Sequence, residues 1–125
     1  MGTLTSLVAA TKNPASIKAA AARVREHLGG SGLNLLINNA GIIKMKSLES
    51  ETVEDMTQTY RTNTIGPLLL GQELLPLLKK AAQGSPGSAL SCSRAAIINM
   101  SSSGGSITSP YAWDLVDVVS YRCSK

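Results

Sequence analysis

The chain has 125 residues, 43% of them hydrophobic and 16% charged, an ordinary balance for one folded domain or part of a larger one. Its formal net charge of +4 comes from Lys and Arg scattered between Lys12 and Lys125, without the concentrated basic face that nucleic acids require, and no stretch reaches the roughly 20 apolar residues that span a bilayer. Cys92 and Cys123 form no Cys-x-x-Cys pair and there is a single His, which argues against a metal site and leaves reduced thiols in a cytoplasmic protein as the expectation.

The first residues, Met1-Gly2-Thr3-Leu4-Thr5-Ser6, fit the loose pattern for myristoylation of Gly2. They lack the basic start of a signal peptide, and no polybasic patch follows to supply the second anchor that stable attachment needs. Asn13-Pro14 marks a helix start: Asn is a good N-cap, and the missing donor of Pro costs nothing at the first helical position. Ile17, Ala20, Ala21, Val24 and Leu28 then recur at helical spacing, and Gly29-Gly30-Ser31-Gly32 ends the helix.

Residues 33–37 are a short apolar run bounded by turn residues, which predicts a buried parallel strand. The run ends at Asn38-Asn39-Ala40-Gly41. A long helical region begins near Thr52, with Glu54 and Asp55 in its first turn at the positive end of the helix dipole and Val53, Met56 and Tyr60 on one face. Leucines between 68 and 78 continue the apolar surface, and Pro67 and Pro76 predict a kink or break near each. Residues 83–93, rich in Gly, Ser and Pro, predict an exposed loop.

Residues 95–100 predict a second buried strand, ending in Ser101-Ser102-Ser103-Gly104-Gly105. Asn99-Met100-Ser101 matches the glycosylation sequon, but its place at the end of an apolar run gives it a structural role. Residues 107–119, with Pro110, Tyr111 and Trp113, predict a loop that packs on something. With no Phe, the core falls to Leu, Ile, Val and Ala. The order helix, strand, helix, strand and the start of a helix gives an α/β fold with parallel strands and right-handed crossovers. Ligands then bind outside the carboxyl ends of the strands, where the loops after residues 37 and 100 fall.

Four features in those places can carry chemistry. In Asn38-Asn39-Ala40-Gly41, Ala and Gly let a bulky ligand approach the backbone, and Asn side chains can tie off polar groups at a strand end. Asn63, in Asn63-Thr64-Ile65-Gly66, stands inside a helical run, where an Asn is only a modest propensity cost. Ser101, Ser102 and Ser103 offer hydroxyls that can donate to a carbonyl oxygen. In Tyr121-Arg122-Cys123-Ser124-Lys125, helical spacing puts Tyr121 and Lys125 on one face. A cation beside a phenol favours loss of its proton, so a Tyr so placed can act as acid or base near neutral pH.

In this order the four features resemble the short-chain dehydrogenase/reductase family, and within it the carbonyl-reductase-like branch that includes C-factor and Sniffer. The resemblance runs from about Asn13 to the C-terminus. It implies a partial Rossmann-like domain, a doubly wound parallel sheet without its first strand-turn-helix or its C-terminal elements. It also implies an oxidoreductase that passes hydride between NADP (or NAD) and a small carbonyl or alcohol substrate. Tyr121 would then be the proton donor, Ser102 would polarise the carbonyl, Lys125 would assist Tyr121 and bind ribose, and Asn63 would bend its helix and support a proton relay. Asn39, Ala40 and Gly41 would line the cofactor pocket together with Tyr121 and Lys125. NADPH is favoured by the branch, and a homo-oligomer formed through the helices around 52–82 is implied.

The sequence departs from the family at both ends. No Gly-rich phosphate-binding turn follows a first strand, and the glycines at 29–32 follow a helix instead. Thr11 and Lys12 stand where the family usually has an Asp. Residues 1–12 therefore form an atypical segment before a central domain portion at 13–125. The helix expected to continue past Lys125 is missing, and a Tyr and Lys on a frayed end would not keep catalytic geometry. Two expectations follow. The sequence is an incomplete record of an NAD(P)-dependent oxidoreductase, or it is a truncated, inactive product that binds cofactor weakly and acts as a subunit-binding or dominant-negative fragment.

Overall fold

A computed structural model describes residues 13–84, 94–108 and 117–125. Gly2, Thr11, Lys12, Cys92, Pro110, Tyr111 and Trp113 lie outside the described residues, as does most of the loop expected at 83–93.

Helix α1 spans Pro14–Leu28, and Asn13 caps it by accepting from Ala15 N at 2.9 Å. Gly29 closes it in the left-handed region at φ 53°, a conformation that favours glycine. Gly32 meets the next constraint. A Cβ there would run into the backbone of Ala81, so only glycine lets the chain pass this close to a helix backbone. Leu33 N then donates to Leu77 O at 3.0 Å.

That bond explains where the first strand begins. Strand β1 spans Leu35–Asn38, later than the apolar run at 33–37, because Leu33 spends its amide on a helix and not on a ladder. Strand β2 spans Ala96–Asn99 and pairs with β1 in parallel, Leu35 opposite Ala96 through Asn38 opposite Asn99.

Helix α2 spans Val53–Tyr60, a π-helical turn covers Arg61–Ile65, and helix α3 spans Gly66–Gly84. The break expected near Pro67 thus falls just before it, in the π turn. Gly66 N–H reaches back to Arg61 O, and Pro67, with no N–H to offer, follows at once. No break occurs at Pro76, and α3 runs on through it. After β2, a 3-10 turn covers Ser103–Gly105, and helix α4 spans Val119–Ser124.

The apolar core is the seam between α1 and α3. Ile17, Ala20 and Ala21 from one side are buried with Leu74 and Leu78 from the other. Arg25 spans the rim of the seam, donating to Glu73 O at 2.8 Å and pairing with the Glu73 carboxylate.

Burial of the strands differs from expectation. Leu35, Ile37, Ile97 and Ile98 are 41–50% exposed. Helix α3 packs against both strands but does not cover them, so the described sheet has the residues of a two-sided core without two covered sides.

Candidate active site

The two strands stop side by side, and their last side chains join. Asn38 Nδ2 donates to Asn99 Oδ1 at 2.8 Å. Asn99, the sequon residue, therefore uses its amide at the sheet end. Asn38 is buried, and its own Oδ1 has no partner.

Asn63 sits on the π turn and is 8% exposed. Its Oδ1 accepts from Ile42 N at 2.9 Å, and its Nδ2 donates to Ile42 O at 2.9 Å and to Ser124 Oγ at 2.8 Å. It thus grips both polar groups of the residue after Gly41 and reaches α4 with the same nitrogen. Ser124 Oγ passes the bond on to Tyr121 O at 2.8 Å, and Thr64 Oγ1 donates to Ser124 O at 3.0 Å. The wide turn aims Asn63 and Thr64 together at α4.

Lys125 Nζ donates to Met100 O at 2.8 Å and lies 5.9 Å from the centre of the Tyr121 ring. A Cβ on Gly41 would come within 3.4 Å of both Lys125 Nζ and Asn63 Oδ1, so glycine leaves that space open. Ser102 Oγ accepts from Gly104 N at 3.2 Å, which leaves its own proton to donate. Tyr121 and Ser102 flank Gly104: a Cβ there would lie 3.3 Å from Tyr121 Cε1 and 3.5 Å from Ser102 Oγ. At Gly105 a Cβ would come within 2.7 Å of the Lys125 carbonyl carbon.

The residues singled out in the sequence therefore gather at one end of the sheet. Gly41, Asn63 and Lys125 meet, and Tyr121 and Ser102 stand either side of Gly104. Ala40 lines a cleft of about 480 Å³ between the strand ends and α3, which Leu68, Leu75, Ile97 and Lys125 also line. Asn39 is exposed at this end. The glycines at 29–32 lie before β1, away from the cleft, where Gly29 ends α1 and Gly32 meets α3.

A second set of polar contacts holds the start of α4. Lys46 and Val118 form a parallel bridge, and Glu51 Oε2 accepts from Ser120 N at 3.1 Å. Asp55 bonds the hydroxyl of Thr52, the cap of α2, and pairs with Lys44, which also donates to Gln58 Oε1 at 2.9 Å. The Lys44 ammonium, then Thr52, hold the Asp55 carboxyl below the usual carboxylate range. Burial pushes Glu51 up, but hydrogen bonds from Ser120 and Thr52 together outweigh it and leave Glu51 lowered.

Glu51, Thr64 and Ser124 are the contributors that sequence reasoning missed. Ser124 had a signal in its place between Tyr121 and Lys125 on one short helix. Glu51 had none, since its partner lies 69 positions away. Among the described residues no group of three or more His, Cys, Asp or Glu converges on a metal site, and no helix is long and apolar enough to cross a membrane.

The model of the family described as short chain dehydrogenase matches residues 3–125. One similar solved structure is the NADPH-bound carbonyl reductase from chicken fatty liver, 60% identical, with 92% of this chain and 44% of that chain covered and a TM-score of 0.85. Another is the carbonyl reductase Sniffer of Caenorhabditis elegans, 39% identical, with 95% and 52% covered and a TM-score of 0.88. The human short-chain dehydrogenase/reductase family 9C member 7 is 36% identical over 104 residues, which are 82% of this chain and 29% of that protein. The chain therefore spans about half the length of these solved structures and under a third of the curated relative. Its parallel strands with flanking helices are a partial Rossmann-like domain, and with the match running through both strand ends and α4, the chain belongs to the short-chain dehydrogenase family of oxidoreductases.

Proposed function

We propose that this chain carries the catalytic half of an NAD(P)-dependent carbonyl reductase, with NADPH the favoured cofactor. The observation that supports it most is the meeting of Asn63, Ser102, Tyr121 and Lys125 at the carboxyl ends of the strands. The open space between Gly41, Asn63 and Lys125 suits the nicotinamide-ribose end of the cofactor, because a side chain at residue 41 would fill it. Ala40 and Gly41 would form the backbone wall there, with Asn39 at the rim, and Lys125 would donate to ribose hydroxyls with protons not used on Met100 O.

When bound, the nicotinamide supplies hydride to the carbonyl carbon. Tyr121 gives its hydroxyl proton to the carbonyl oxygen as negative charge develops there. Ser102 donates a hydrogen bond to the same oxygen, using the proton that Gly104 N leaves free. Lys125 keeps its ammonium 5.9 Å from the centre of the Tyr121 ring, which would bring the ribose it binds close to that residue. Asn63 fixes the loop after Gly41 against α4, which keeps these groups in register.

Grafting residues 13–125 in place of the matching span of the chicken carbonyl reductase tests this directly. The chimera is expected to oxidise NADPH with a small aldehyde or ketone, and Tyr121→Phe is expected to lower that rate about 10²–10⁴-fold with the melting temperature unchanged. A Tyr121→Phe chimera as fast as its parent would sink the assignment.

A second reading is supported by the exposure of Leu35, Ile37, Ile97 and Ile98. The 125-residue chain alone would then bind NADPH weakly and act by pairing with another subunit. Micromolar NADPH affinity of a monomeric chain, read by nicotinamide fluorescence and sedimentation, would rule that out.

A further inference from the structure

Helix α4 carries Tyr121, yet it begins without a side-chain cap of its own, since Val118 provides none. The first amides of a helix have no partner within it and must find one elsewhere. Here two of them find it in the segment 46–51. Val119 N donates to Lys46 O at 3.4 Å, and Ser120 N donates to Glu51 Oε2 at 3.1 Å. The other oxygen, Glu51 Oε1, accepts from Thr52 N at 3.1 Å, and the Thr52 hydroxyl caps α2. One carboxylate thus joins the first turns of two helices. Ser120 is 2% exposed and directly precedes Tyr121, so a change in its peptide orientation passes straight into the ring.

We propose that Glu51 is a positioning residue, holding the Ser120 amide so that the start of α4, and with it the direction of Tyr121, is fixed. Asn63 and Thr64 grip the same helix at Ser124. The helix is therefore held at both ends by side chains from elsewhere, and the Glu51 bond is the charge-assisted one, roughly twice as strong as a neutral bond. That Tyr121 reacts rests on the function proposed above, whereas the tie to Ser120 does not.

The test uses the 125-residue chain. Amide hydrogen exchange is followed by mass spectrometry in peptides covering α4 and α1, and nitration of Tyr121 is compared with that of Tyr60. Glu51→Ala is expected to speed exchange in α4 about tenfold, with α1 unchanged, and to raise nitration of Tyr121 relative to Tyr60. Glu51→Gln keeps an acceptor oxygen and is expected to recover most of both. Wild-type exchange and nitration in Glu51→Ala would overturn the proposal.

If Glu51→Ala loosens α1 as well, Ser120→Pro replaces it. That variant deletes the donor while keeping the carboxylate, at a first-turn position where Pro is tolerated. It is expected to raise Tyr121 nitration without loosening α1, and equal loss of protection in both helices would overturn the proposal. The chimera assay reports on the oxidoreductase reading separately. Its failure leaves the exchange result standing, and a null exchange result leaves the assay standing.

Discussion

Two regions of the molecule hold together by different physics. The seam between α1 and α3 buries Ile17, Ala20, Ala21, Leu74 and Leu78, all apolar. The region joining α2, the π turn and α4 buries Thr59, Thr62, Asn63, Ser120 and Ser124, all polar, with the apolar Val118 at the start of α4. Apolar contact is strong but has no direction, so the seam sets how close two helices lie. Hydrogen bonds weaken steeply with misalignment, so the second region sets angles as well as distances. The proposed function needs a phenol aimed at one substrate atom, which calls for the second kind of order, and that order occurs where Tyr121 is.

The largest stability change is expected in the seam. Ile17→Ala removes a side chain that is 1% exposed and should cost about 2–5 kcal/mol, read as a fall in the urea midpoint. The contrast sharpens if exchange at the Ile42 amide, held by Asn63, rises only as far as global unfolding requires. It breaks if that amide is released first, for the site would then lean on the seam for its geometry.

Asn63→Ala should come next. It deletes three hydrogen bonds of about 1 kcal/mol each and leaves Ile42 and Ser124 groups short of partners, for a loss of about 2–3 kcal/mol. Exchange in α4 should rise well before exchange in α1. A loss of only a few tenths of a kcal/mol would show that α4 is held by packing after all.

Acid should produce the smallest change, and in the polar region alone. Asp55 and Glu51 both have carboxyls lowered in the folded protein. A depressed folded value contributes stability that is fully present above the unfolded value, about 4 for such groups, and is lost as pH falls through the folded value. Urea midpoints should therefore fall on acidification below that range, and less so in a chain carrying Asp55→Asn and Glu51→Gln. Identical acid profiles for the two chains would remove the carboxylates from the account.

Much of the site was legible because its residues come in short local patterns. Asn38-Asn39-Ala40-Gly41 lies at the end of β1, Ser102 follows β2, and the helical spacing of Tyr121 and Lys125 holds in α4 and the residue after it. The ties between those patterns were not legible. Nothing near Glu51 in the chain points to Ser120, and nothing near Ser124 points to Asn63, because each pair is separated by more than 60 positions. The strand boundary at Leu35 was missed for the same reason, since the amide of Leu33 is taken by Leu77 from another element.

By itself the sequence determined the α/β order, the cap at Asn13, the acidic first turn after Thr52, and the family to which the chain belongs. Those depend on neighbours within a few residues, where backbone preference and side-chain reach decide the outcome. The tertiary structure decided that the break expected near Pro67 is a π turn placing Asn63 and Thr64 against α4, and that none occurs at Pro76. It also decided that Leu35, Ile37, Ile97 and Ile98 are only partly covered among the described residues. Both depend on which distant surfaces come together, and a local pattern carries no record of that. The pattern of Tyr121 and Lys125 is local, while the bonds that hold α4 come from Glu51, Asn63 and Thr64, far away in the chain.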